Sequence, residues 1–260
     1  MKTIVLATDL SDTAVPAADY AHELAQKLHA RLVIVHAYEP ASDTIPDRIA
    51  IPVRLTRIRQ RLMRISKGSV DIAVIAKAGK PLAGIQTTVA EQEADLLIIA
   101  LTGPDPLSVR SLGSLTTYLI PQTSVPMLIL PPGVRYEPVR NIVLTLDLSD
   151  AVDAGALGNA RALTQALGAT LDIICMNDEP DQHQQEAARQ IQEWFSDLTH
   201  TFSFWSGNDL TITLDDYFMH HRADLIMMLP RHRSRFDTWL NESVTQQVVR
   251  QAVVPVLAVV

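Results

Sequence analysis

Three stretches of this chain occur twice in the same order, and that repetition limits its folds more than any other feature. Thr3-Ile-Val-Leu-Ala-Thr-Asp-Leu-Ser-Asp12 returns as Asn141-Ile-Val-Leu-Thr-Leu-Asp-Leu-Ser-Asp150, 138 residues later. Ala94-Asp-Leu-Leu-Ile-Ile-Ala100 returns as Ala223-Asp-Leu-Ile-Met-Met-Leu229, and Ser124-Val-Pro-Met-Leu-Ile-Leu130 as Val253-Val-Pro-Val-Leu-Ala-Val259, both 129 residues later. Chance likeness between buried strands explains one such match. Three in order indicate a tandem duplication. The 260 residues then divide into domains at 1–133 and 137–260, with Pro131-Pro-Gly-Val-Arg-Tyr-Glu-Pro138 connecting them.

Each copy alternates short apolar runs with helical periodicity. In the first, strands are expected at Ile4–Ala7, Leu32–Val35, Val70–Ala76, Leu96–Ala100 and Met127–Leu130. Ser11 or Asp12 suits the cap of a first helix with Pro16 in its first turn, whose inner face would carry Val15, Ala18, Ala21, Ala25 and Leu28. Pro40 to Pro46 reads as a loop, followed by helices over about 50–66, 80–93 and 113–122. The second copy predicts strands at Ile142–Leu146, Leu171–Met176, Thr201–Trp205, Leu225–Leu229 and Val256–Val260, with helices near 152–167, 182–199, 209–221 and 242–251. Phe202, Phe204 and Trp205 fit a buried strand better than a platform for stacking bases. Five strands alternating with helices in each copy predict α/β domains, each a parallel sheet with helices on both faces.

Composition narrows the class further. With 47% hydrophobic and 20% charged residues the chain is globular, and no apolar run reaches the length of a membrane span. The opening Met1-Lys-Thr-Ile-Val-Leu-Ala-Thr-Asp9 reads as a strand rather than a signal peptide, so a cytoplasmic protein is expected. The single cysteine, Cys175, excludes an internal disulfide and any cysteine-rich metal site. A net charge of −7 argues against general nucleic-acid binding. The charge is uneven: residues 1–136 hold 14 Lys/Arg against 12 Asp/Glu, and residues 137–260 hold 8 against 17. The helix at 50–66 sets Arg54, Arg57, Arg59, Arg61 and Arg64 around an apolar stripe of Ile51, Leu55, Ile58, Leu62 and Ile65. No aromatic residues interleave with those arginines, so they read as the solvated face of a packed helix rather than a nucleic-acid or lipid surface.

The stretch from Asp95 to Ser114 carries the chemistry. An apolar strand ends in a loop containing glycine, proline and serine, and a helix begins at Gly113-Ser114. Free N–H groups and the helix dipole can hold an anion at such a place. The spacing Ala100-x2-Gly103-x9-Gly113-Ser114 resembles the Gly-x2-Gly-x9-Gly-Ser/Thr phosphate motif of the universal stress protein family, with alanine for the first glycine. The resemblance covers the chain twice. It implies two tandem flavodoxin-like, Rossmann-like domains, each a five-stranded parallel sheet of order 3-2-1-4-5, with ligands at the switch point between strands one and four. It also implies an adenine-nucleotide site (ATP, ADP or AMP, with Mg accompanying ATP) formed by Asp9, Ala37, Gly103, Gly113 and Ser114. Ala100, Thr8 and Leu10 complete that set, and the last strands of the two domains would pair with one another. A homodimer stays open.

Each of these residues has a plainer reading. Asp9 could accept a hydrogen bond from a ligand or simply shape the turn before the helix. Pro104 and Pro106 remove two N–H donors from the loop, and Asp105 adds a charge that repels phosphate. In the second copy Leu229, His232 and Glu242 stand at the motif positions and only Ser243 is kept, so a structural partner is expected there. Its basic loop, Pro230-Arg-His-Arg-Ser-Arg235, reads as a solvated run or as side chains for another anion. His220, His221, His232 and Asp224 raise a metal site, but neighbouring histidines on a helix point in different directions, and surface histidines are the expectation. Ser111 and Ser114 have no local His/Asp partners, and neither the Walker A lysine motif nor a full G-x-G-x-x-G is present. The expectation is a stress-response protein that senses a ligand without catalysis, weak ATP hydrolysis staying open. The competing readings are an interaction scaffold that binds no nucleotide and a binder of another anionic or lipid-like ligand, through Arg231, Arg233 or Arg235.

Overall fold

Alternating strand and helix signals resolve into two compact units, Met1–Tyr136 and Glu137–Val260. The computed structural model describes residues 1–39, 45–101, 114–148, 152–177, 179–205, 210–229 and 244–260. The first unit runs β1 (Thr3–Ala7), α1 (Val15–Lys27), β2 (Arg31–Tyr38), α2 (Ile45–Ile65), β3 (Ile72–Ala78), α3 (Pro81–Glu91), β4 (Leu96–Ala100), α4 (Ser114–Leu119) and β5 (Met127–Leu130). The second repeats it as β6 (Asn141–Leu146), α5 (Ala154–Leu167), β7 (Thr170–Met176), α6 (Gln182–Trp194), β8 (His200–Trp205), α7 (Leu210–His220), β9 (Leu225–Met228), α8 (Val244–Gln251) and β10 (Val256–Ala258).

Strand order is β3-β2-β1-β4-β5 in the first unit and β8-β7-β6-β9-β10 in the second. Pairing is parallel, with β1 central: Val5 faces Val33 on one side and Leu97 on the other. Parallel strands need crossover helices, which cover the sheet and make its central strands apolar on both sides. Ile4, Val5, Leu32, Val33, Ile34, Leu96 and Ile98 accordingly have no exposed surface.

The repeated Ala-Asp-Leu stretch has a physical job in both units. Asp95, just before β4, accepts hydrogen bonds through Oδ2 from the backbone N–H groups of Lys2 (2.5 Å) and Thr3 (2.8 Å). Asp224 does the same before β9, accepting from Arg140 (2.9 Å) and Asn141 (3.0 Å). Each carboxylate fastens the start of the central strand to its neighbour, and charged acceptors make the stronger hydrogen bonds.

Several boundaries differ from the sequence expectation. β2 continues to Tyr38 rather than stopping at Val35, because it keeps pairing with β3 (Ala37 with Lys77, Tyr38 with Ala78) after β1 has ended. α2 starts at Ile45, inside the expected loop, since a proline in a first turn loses no helical hydrogen bond; Pro52 lies within the helix. In α1, Val15 is 40% exposed, whereas Tyr20 and His22 join Ala18, Ala21 and Ala25 inside. β8 is half-buried rather than buried, and Phe202 and Phe204 meet edge to face at 5.3 Å. At the boundary between the units, Tyr136 packs edge-on against Tyr20 at 5.2 Å and so belongs to the first.

His22 makes the first unit acid-sensitive. It is 1% exposed, and its Nε2 has no hydrogen-bond partner among the described residues. Burial lowers its pKa, outweighing the nearby Glu23 and Asp19 carboxylates that act to raise it. The unfolded chain therefore takes up this proton first, and stability drops as pH falls below about 6.5 and through the lower folded value. His22→Leu should lose less thermal stability between pH 7 and pH 5 than the unaltered chain; parallel losses in calorimetric scans would disprove the assignment.

Candidate functional site

The site begins where β1 and β4 part at their carboxyl ends. β1 is followed by Thr8 and Asp9, β4 ends at Ala100, and β2 projects past β1 with His36 and Ala37. These ends enclose a crevice of about 440 Å³, closed by Ala14 and Ala17, by Pro81, Leu82 and Ile85 of α3, and by Leu115 and Tyr118 of α4. Its walls are largely apolar, with Thr8, Asp9, His36 and Tyr118 contributing the polar side chains.

Backbone hydrogen bonds hold the floor. Thr8 N–H donates to the Val35 carbonyl at 3.0 Å, carrying the β1–β2 ladder one step past the strand. The Thr8 hydroxyl oxygen accepts from Leu10 N–H at 3.1 Å, and the Thr8 carbonyl lies 2.7 Å from His36 Nδ1. A carbonyl can only accept, so Nδ1 carries the hydrogen there. Asp9 Oδ1 accepts from both Ser11 N–H (2.9 Å) and the Ser11 hydroxyl (2.7 Å). One carboxylate oxygen thus shapes the turn. Leu10 adopts a left-handed backbone (φ 62°), and Arg54 of α2 donates to its carbonyl.

Thr8, Asp9, Ala37 and Ala100 come together in the crevice. Leu10 is 5% exposed and serves the turn by its backbone. Gly103 and Gly113, like Pro104, Asp105 and Pro106, lie outside the described residues. Ser114 opens α4, but its side chain is also outside them. Sequence reasoning missed His36, Tyr118 and the α3 residues. The signal for His36 was its place beside Ala37; ending the strand at Val35 hid it.

Gly84 explains how α3 comes so close. A Cβ there would lie 2.9 Å from the Ala37 Cβ, closer than carbon atoms pack without displacement, with Lys77 Cγ next at 3.4 Å. Lys77 reaches along the same helix to pair with Glu91 at 2.9 Å. Two arginines of the basic helix are likewise engaged: Arg54 with the Leu10 carbonyl, and Arg61 with Asp19 at 2.6 Å.

The universal stress protein family model matches residues 1–131. The chain belongs to the universal stress protein family. The Thermus aquaticus universal stress protein in the QAH/OAS sulfhydrylase 3′ region is 30% identical over 138 residues, covering 50% of this chain and 98% of its own. A universal stress protein from Archaeoglobus fulgidus DSM 4304 has a similar structure, with a TM-score of 0.76 at 18% identity over 99% of this chain and 95% of its own. A protein of unknown function from Pseudomonas aeruginosa PAO1 gives 0.69 at 13% identity over 100% and 92%. At these identities the two solved structures speak for the fold alone.

Within this universal stress protein the two units differ where the crevice would lie. Strand register and the sequence repeat make Cys175 and Met176 the counterparts of His36 and Ala37, and Leu229 the counterpart of Ala100. Two alanines of the first unit are thereby replaced by long side chains, and His36 by a smaller one. Cys175 is 1% exposed, and burial pushes its thiol pKa up, which leaves it unreactive. The residues weighed as metal ligands have other partners: Asp224 clamps strands, His220 Nδ1 meets the Asp216 carbonyl at 3.1 Å, and His221 stacks on Tyr217 at 4.5 Å. His232 lies outside the described residues. Tyr217 also donates to Asp172, and burial followed by that carboxylate pushes its phenol pKa up. No described helix is long and apolar enough to cross a membrane.

Proposed function

We propose that the first-unit crevice binds an adenine nucleotide, and that the protein acts in stress response by sensing this ligand rather than turning it over. The observation that carries this reading is the position of the crevice at the β1/β4 switch point, with Asp9, Ala37 and Ala100 on its walls. Open α/β sheets take ligands at that point, and about 440 Å³ falls in the range of small-molecule sites. The apolar walls suit a base, and the oxygen of Asp9 that is not used in the Ser11 turn can accept a hydrogen bond from it. Gly103, Gly113 and Ser114 would hold ribose and phosphates, with Mg accompanying ATP. In the second unit Met176 and Leu229 take the space of Ala37 and Ala100, which favours a structural partner.

Calorimetric titration of ATP, ADP and AMP with magnesium, on the unaltered chain and on Gly113→Asp, tests this. Micromolar binding that Gly113→Asp abolishes supports the site. Absence of heat and of any thermal shift with all three nucleotides would leave the interaction scaffold as the better reading.

A further inference from the structure

We propose that His36 sets the specificity of this crevice, favouring a purine with a 6-amino group over one with a 6-oxo group. This rests on the adenine-nucleotide reading and names the residue that would enforce it. His36 lines the crevice beside Thr8 and Asp9. Its Nδ1–H is committed to the Thr8 carbonyl at 2.7 Å, and its ring lies parallel to that of Tyr38 (6°, centroids 5.9 Å apart). In the tautomer that this bond selects, Nε2 is the nitrogen left to accept a hydrogen bond.

The Asp9 carboxylate is a second acceptor in the crevice, and no described lysine or arginine lines the space. The Thr8 and Tyr118 hydroxyls can adapt as donor or acceptor, whereas Asp9 and His36 Nε2 can only accept and so ask the ligand for hydrogen donors. The exocyclic amine of adenine carries two hydrogens. Hypoxanthine and guanine have an oxygen at that position, which would place lone pairs against lone pairs. Sites built to hydrogen-bond a ligand group discriminate strongly, because the wrong ligand leaves buried polar atoms unpaired. Position 36 also accounts for a difference between the units: the second has Cys175 there, whose thiol is at best a weak acceptor.

The test compares adenosine with inosine by calorimetry. The unaltered chain should bind adenosine about 10-fold tighter than inosine, the effect of one lost hydrogen bond. His36→Asn keeps an amide N–H near the Nδ1 position for the Thr8 carbonyl while deleting Nε2, and should bring the two nucleosides within about threefold. His36→Gln, with its side-chain oxygen near the Nε2 position, should keep part of the preference. Undiminished preference in His36→Asn overturns the role of His36 and leaves the nucleotide reading standing. Failure of the unaltered chain to bind any adenine compound overturns both. Should the variants not fold, the Nε2 resonance of ¹⁵N-histidine-labelled unaltered protein decides: it should shift with adenosine and not with inosine, and equal response to both overturns the proposal.

Discussion

Asp224→Ala should lower the unfolding free energy of the second unit by about 3 kcal/mol, more than a hundredfold in its folding equilibrium. The loss strands two backbone donors, Arg140 N–H and Asn141 N–H, which meet Asp224 Oδ2 at 2.9 and 3.0 Å. Hydrogen bonds to a charged acceptor contribute about 1.5–3 kcal/mol each, and the Asp224 side chain is only 8% exposed. Its pair with Arg222 adds little, because Arg222 is 72% exposed. Urea titration followed by tryptophan fluorescence reads this unit alone, since Trp194, Trp205 and Trp239 all lie in the second half. Asp224→Asn, which keeps an acceptor oxygen, should recover part of the loss. A midpoint unchanged by Asp224→Ala would show that the β6–β9 ladder holds without its carboxylate.

Gly84→Val should destabilise the first unit by about 1–3 kcal/mol and distort the crevice together. The added Cβ would lie 2.9 Å from the Ala37 Cβ, and both atoms are fixed to backbone, so neither can swing aside as a flexible side chain would. Relief requires α3 to lift from β2, taking Pro81, Leu82 and Ile85 away from the crevice they close. Lower thermal stability and weaker ligand binding should therefore appear in the same variant. Lower stability with unchanged binding would separate the helix from the site and overturn this account of Gly84.

The architecture was legible in the sequence because buried parallel strands leave a continuous apolar run, and Leu96–Ala100 and Met127–Leu130 coincide with β4 and β5. The same rule failed where a strand outlives its burial. β2 becomes only partly buried from His36 onward, so its apolar signal stops at Val35 while its pairing with β3 does not. His36 fell into that gap. Asp95 and Asp224 were visible as a repeat, yet their work is done on backbone N–H groups more than 80 positions away in sequence, which no local spacing reveals. In α1 the apolar period put Val15 inside, whereas its position at the first helical residue leaves it exposed and brings the polar His22 into the core. Asp9 illustrates a residue with two readings: the structure gives Oδ1 its turn role, and the proposed ligand contact falls to the other oxygen.

The Asp95 clamp sits at the amino end of β1, whereas Thr8 and Asp9 stand beyond its carboxyl end. Five strand residues at about 3.3 Å each separate them by roughly 16 Å, beyond the range within which substitutions usually couple. The clamp and the crevice therefore occupy opposite ends of the sheet. The residues around the crevice can thus change without disturbing the clamp: Met176 and Leu229 replace Ala37 and Ala100 in the second unit, while its Ala-Asp-Leu clamp is the same.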